Sequence, residues 1–398
     1  MKKQNQPISP SLITAKEYAA LSPEEREEWR AVHPRHERLP KWCFVCYGIA
    51  ALALCIYLAA RIFPAFADLF NQNVSEIFRR TLAALTGWIP FSLGEALILL
   101  LPVIFGLAVW YAAKYRCDTW RSTWSFVGIL IAVICMLLSM FVFTFATGYH
   151  GTTLDKKLGL AQKEVSAEEL YQTALILAEK VNEEHESMTY AKNGFSVMPY
   201  SLSEMNDKLL DAYDVFCAKH KFIDHYDSRL KPVMLSELMN YTHITGVYSY
   251  FTGEANIDIA FPDYTIPYTA AHELAHQRGI AREDEANMVA FLVCMESNDA
   301  YIRYCAYLNM YEYVANALYR ASPELYAKAS GKLHADVKSE MVAYSNFFAK
   351  YQNSTAGSVS GAVNDTFLKF QGTEGTASYG MVVDLTVAYY KHLGMITE

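Results

Sequence analysis

Three long apolar runs within the first 150 residues constrain this chain more than any other feature. Cys43 to Ala60 carries no charged side chain, Phe91 to Ala113 carries only Glu95, and Ser122 to Tyr149 carries none. Crossing the hydrocarbon core of a bilayer takes about 20 apolar residues in a helix. There, every backbone group must also be satisfied within the segment itself. Each run therefore predicts a transmembrane helix, and three so close together fit poorly with buried helices of a soluble core. The expected organisation is a tail over 1–41, a membrane domain over 42–149 and a folded domain over 150–398.

The flanking charges predict the orientation. Arg35, Arg38 and Lys41 precede the first run, and Lys114, Arg116 and Arg121 lie between the second and third. Cytoplasmic loops are enriched in Lys and Arg. The tail is thus expected inside and residues 150–398 outside, with Lys156 and Lys157 weighing against. Residues 1–150 hold 14 basic and 10 acidic side chains, and the remainder holds 20 and 32. An acidic domain argues against nucleic acid, whose phosphates demand a basic surface. The expected contacts are membrane lipid, through the three spans, and a polypeptide.

Within the loop 64–90 between the first two runs, Asp68 to Trp88 has helical periodicity and is expected to lie along the outer interface. Glu95 is expected to face headgroups rather than a site. In the tail, Ser22-Pro23-Glu24-Glu25 is a helix start of capping-box type. The apolar run begins too late for a cleavable signal peptide. Five of the eight cysteines lie in or beside the apolar part, which is no disulfide framework, and Cys43-x-x-Cys46 has no second pair to complete a metal site.

The pattern from 150 onward is mainly helical with a small sheet. Ser166-Ala167-Glu168-Glu169 caps a helix to about Glu186, and 203–220 form another. Residues 232–235 read as a short strand, and GVYSYF and EANIDIAF as two more joined at Thr252-Gly253. Helices are expected nearly to the end, broken by a polar loop from Asn353 to Gly361, with a last helix over about 379–392.

The chemistry concentrates in His272-Glu273-Leu274-Ala275-His276, the H-E-x-x-H pattern. Residues four apart share a helix face, so both imidazoles can grip one metal ion, and Glu273 can reach a water bound to it. Pro267 and Thr269 suit the helix start and Gly279 its stop. A second helix opens near Arg282 and carries Glu283, Asp284 and Glu285. A catalytic Zn²⁺ normally has three protein ligands, so an acid is needed, and Glu283 and Glu285 compete. They lie about 200° apart around a helix, while Glu283 and Asn287 share a face. Ala255 and Asn256, in the strand just before the motif, could pair with an extended peptide by strand addition or simply support the helix. Tyr304 or Tyr307 could steady an oxyanion, or serve as packing.

These residues also carry a resemblance. Glu283-x-x-Ala286-Asn287 is similar to the E-x-x-A-D element that supplies the third zinc ligand in gluzincins, the thermolysin-like metallopeptidases. Closer still, Thr252-Gly253-Glu254-Ala255-Asn256, His272 to Gly279, Glu283 to Asn287 and Ser378-Tyr379-Gly380 resemble a family of bacterial membrane proteins known only as a domain of unknown function. The resemblance implies an α+β zincin-like domain of gluzincin type, with Glu283 as third ligand and Asn287, in place of the aspartate, bracing a ligand histidine. The implied activity is that of a zinc metallopeptidase in the bacterial cell membrane, with Glu273 as general base. The alternative is a zincin-fold sensor or scaffold of the cell envelope with little turnover. An intramembrane protease does not fit, because Arg278, Arg282 and Glu283 to Glu285 crowd the motif.

Overall fold

The computed structural model describes residues 15–32, 38–115, 120–161 and 164–396. Arg35, Arg116 and Cys117 lie outside these. The chain divides into two compact units, residues 1–58 with 96–142, and residues 59–95 with 143–398.

The first unit holds most of three helices: α1 (Lys41–Ile62), α2 (Leu93–Tyr115) and α3 (Trp120–Thr144). All three are long and apolar enough to cross a membrane, and none of the apolar window of α2 is buried inside the protein. A helix apolar on every face and buried on none is built for lipid rather than for a protein core. Cys43 and Cys46 pack with Ala132 as small hydrophobes. In the tail, Pro23–Val32 is helical, and Ser22 and Glu25 cap it reciprocally at 3.2 and 2.8 Å.

The second unit is mainly helical around a three-stranded sheet. Here α4 (Ala167–His185), started by a capping box at Ser166, packs along α8 (Ala300–Ala321). Helix α5 (Leu202–Lys219) packs on α7 (Glu283–Met295), which lies against α6 (Ile266–Gln277). Helix α9 (Val382–His392) closes on α7 and α8. Strands β1 (Leu230–Pro232), β2 (Gly246–Ser249) and β3 (Glu254–Ile257) form a sheet in the order β1-β3-β2, with β1 parallel and β2 antiparallel to β3.

Three features go beyond or against the expectations. First, residues 59–95 pack within the site-bearing unit. The reason is polar anchoring: buried Arg79 donates to Asn71 Oδ1 at 2.8 Å and to the Thr144 carbonyl at 2.9 Å, and Asn71 donates to the Gly279 carbonyl at 2.9 Å. Second, Asn353 to Gly361 is not a loop, since a helix runs over Thr355–Phe370 with Ser354 as its N-cap. Its glycine is there for contact: a Cβ on Gly357 would meet the His243 ring at 2.4 Å. Third, β3 is the central strand and so offers no free edge.

Candidate metal centre

Helix α6 starts at Ile266 with Pro267 in its first turn and buries eleven of its twelve residues, both imidazoles included. It ends at a glycine because the chain must turn sharply: Gly279 has φ 93°, and Ile280 N–H returns to the Ala275 carbonyl at 3.1 Å. That turn brings α7 back at once, starting at Glu283. The small side chains Ala270, Ala271, Ala275, Ala286 and Ala290 are all fully buried, which lets the two helices approach closely.

Glu283 Oε2 lies 3.2 Å from His272 Nε2 and 3.3 Å from His276 Nε2, with all three residues buried. Ligands about 2.0–2.2 Å from a tetrahedral ion stand about 3.3–3.6 Å apart. A charge-assisted hydrogen bond would be shorter, about 2.7–2.9 Å. The spacing therefore fits three donors around a shared cation better than a carboxylate bonded directly to two rings. The electrostatics agree. Burial opposes charge on His276, yet Glu283 overrides it and holds the ring at about 9, while Glu283 itself is held far below the usual carboxylate range. Two imidazoles facing two buried carboxylates make a place where positive charge, a proton or a metal ion, is held.

His276 Nδ1 lies 2.7 Å from the Ile280 carbonyl, which fixes the ring with Nε2 facing Glu283. Asn287 makes no such contact. Its side-chain nitrogen and His272 Nδ1 are both buried without a partner, and its carbonyl accepts from Tyr268 Oη at 3.0 Å. Glu285 points away: it accepts from Leu154 N–H at 3.0 Å and faces Arg282 at 3.6 Å, and burial raises its carboxyl to about 7.

Glu273 is buried beside both histidines, and burial pushes its carboxyl up from the ordinary range against their pull. It lies under β2, where a Cβ on Gly246 would sit 2.6 Å from Oε1. Only glycine leaves that carboxylate its place. Ala255 and Asn256 do not reach the cavity; both are buried, and Asn256 donates to the Val247 and Glu254 carbonyls at 3.0 and 3.1 Å.

A cavity of about 510 Å³ opens over His272, Glu273 and Asn287. Its far wall is α8, whose Asn309, Glu312, Tyr313 and Asn316 follow one helical face. Burial raises Glu312 to about 7 and Tyr313 to about 12, and Tyr313 borders both Asn287 and Glu283. Tyr304 and Tyr307 lie elsewhere: Tyr304 donates to Glu340 at 2.5 Å, and Tyr307 packs edge-on against Phe291. Gly246, Asn309, Glu312, Tyr313 and Asn316 are among the cavity residues missed by sequence reasoning. The polar 309/312/316 spacing on one face of α8 was the signal available for that wall.

A family model described as "Protein of unknown function (DUF3810)" matches residues 70–387, and the chain belongs to that family. No curated protein and no solved structure matches it.

Proposed function

We propose that this family member is a membrane-anchored, zinc-dependent metallopeptidase of gluzincin type, acting on polypeptide outside the cytoplasm of a bacterial cell. The observation that carries the reading is the meeting of His272, His276 and Glu283 at 3.2–3.3 Å with Glu273 on the adjoining cavity wall. Zinc held by those three side chains would supply a Lewis acid for the scissile carbonyl and the attacking water. Glu273, beside both histidines, would take a proton from the attacking water and pass it to the leaving amine. Tyr313 lines the same cavity, and its hydroxyl is the proposed donor to a developing oxyanion.

With β3 enclosed, the strand beside the cavity is β2, and Gly246 lines it directly. An extended peptide laid along β2 passes over Glu273. No Lys or Arg lines the cavity among the described residues, so a substrate's terminal carboxylate would find no counter-charge there. Internal bonds are therefore the expected targets. The side of the membrane rests on the basic flanks of the apolar helices. It also requires residues 64–90 and 150–398 to share one face, as three crossings demand and as their packing in one unit allows.

The test is to incubate the purified full chain with a peptide library. Cleavage at internal bonds is expected, stopping with a chelator and with Glu273→Gln. A chain that binds zinc but leaves every peptide intact would support a sensor or scaffold instead.

A further inference from the structure

The cavity wall formed by Thr242 to Gly246 is reached from a segment with unusual exposure. Met234, Leu235 and Leu238 are 66%, 40% and 62% exposed, a large apolar surface for five consecutive residues of a folded domain. From Val233 to Phe251 the only charged side chain is Glu237. This is not a stretch that water selects.

Its anchoring shows what it faces. Both oxygens of Glu95, in the first turn of α2, accept backbone hydrogen bonds from this segment, Met234 N–H at 2.8 Å and Leu235 N–H at 2.9 Å. Just upstream, Lys231 donates to the carbonyls of Thr86 and Ile89. The two stretches thus run side by side, and the one leading into α2 exposes Trp88 (78%) and Phe91 (42%). Trp beside the first turn of an apolar spanning helix sits at headgroup level. A segment hydrogen-bonded to that same turn lies at the same depth.

We propose that residues 233–241 are seated in the interfacial layer of the bilayer that α2 crosses. The catalytic cavity then opens at the membrane surface, and its substrates are polypeptide segments held there, such as the stretch flanking a membrane anchor. The occupant is lipid because the segment is hydrogen-bonded to the first turn of α2, whose apolar window is wholly unburied within the protein. Glu95, whose acid group the sequence alone leaves to the headgroups, acts as the clasp that fixes the segment's depth. The part about substrate rests on the peptidase reading, whereas the seat in lipid does not.

The experiment uses the full chain in vesicles of phosphatidylethanolamine and phosphatidylglycerol. Met234 and Leu238 are replaced one at a time by photoreactive benzoylphenylalanine, with Val342 and Tyr319, which are 60% and 57% exposed, as controls. Lipid adducts are expected at 234 and 238 and not at the controls. Adduct yields no higher than the controls, or covalent dimers of the chain in place of lipid adducts, overturn the seat. A second arm compares one peptide sequence free in solution and carried on a lipid anchor. Confinement to the surface should raise its cleavage by on the order of tenfold or more. Equal rates overturn the claim about substrate. Cleavage of neither peptide contradicts the peptidase reading, and the lipid adducts still decide the seat.

Discussion

His272, His276 and Glu283 meet with all three side chains buried, whereas His185, His334 and Asp336 bring a similar set of donors together at the surface. In the first cluster the rings stand at 89° and a backbone carbonyl holds His276 through Nδ1, which leaves Nε2 free to face Glu283. In the second the rings stack at 4.0 Å, and His334 Nδ1, the nitrogen nearest Asp336, accepts from Asp336 N–H as a helix cap. The Asp336 carboxylate stands 3.7 and 3.5 Å from the two rings and is 57% exposed. Proximity of donors is common to both clusters. What separates them is burial, which makes charge compensation compulsory; His185, like His276, is held through Nδ1, by Tyr190 Oη at 2.9 Å, but His334 turns toward Asp336 a nitrogen that already caps its own helix.

The sharpest way to break this comparison is to remove each pair of rings. His272→Ala with His276→Ala should abolish bound zinc and all hydrolysis, while His185→Ala with His334→Ala should leave zinc stoichiometry unchanged. Metal analysis of both purified variants decides it, and loss from the surface pair alone would reverse the assignment. Next in size is Glu273→Gln, which keeps the metal but should slow turnover by a factor of about 10²–10⁴, as loss of a general base does.

A smaller effect separates two acids of one helix. Glu283→Gln should weaken zinc binding by more than the roughly 10–100-fold that losing a bracing residue costs. Glu285→Gln, acting on Leu154 N–H instead, should change it little; titration with a competing chelator measures both. The smallest change concerns the ground under Glu273. Gly246→Ala puts a methyl group against that carboxylate, and a displacement of about 1 Å is worth on the order of 10² in rate. Turnover should fall with zinc retained, so unchanged kinetics would show that β2 yields instead.

The same contrast explains what was legible in the sequence. Burial on one side leaves a periodic trace, so α4 and α5 can be read from spacing and caps, while the apolar helices show in their length and the H-E-x-x-H helix in its motif and its Pro and Gly ends. Glu283 and Glu285 can be phased because the helix period separates them by about 200°. Pairing between distant segments leaves no such trace. Nothing in EANIDIAF says that Leu230–Pro232 will pair alongside it and turn an expected edge into a central strand. Likewise, Asn353 to Gly361 has the composition of a loop, yet Ser354 caps a helix that begins at Thr355. The brace on His276 is a backbone carbonyl, which any residue at 280 could supply. Asn287, chosen by analogy of position, lines the cavity with His272 but leaves His272 Nδ1 without a partner.

The most direct test of the central claim is metal analysis of the purified full chain combined with X-ray absorption at the zinc edge. The account predicts one zinc per chain, bound by two imidazoles and oxygen, with no sulfur among its neighbours. A chain purified without zinc that fails to take it up, or zinc found on cysteine sulfur, would contradict it.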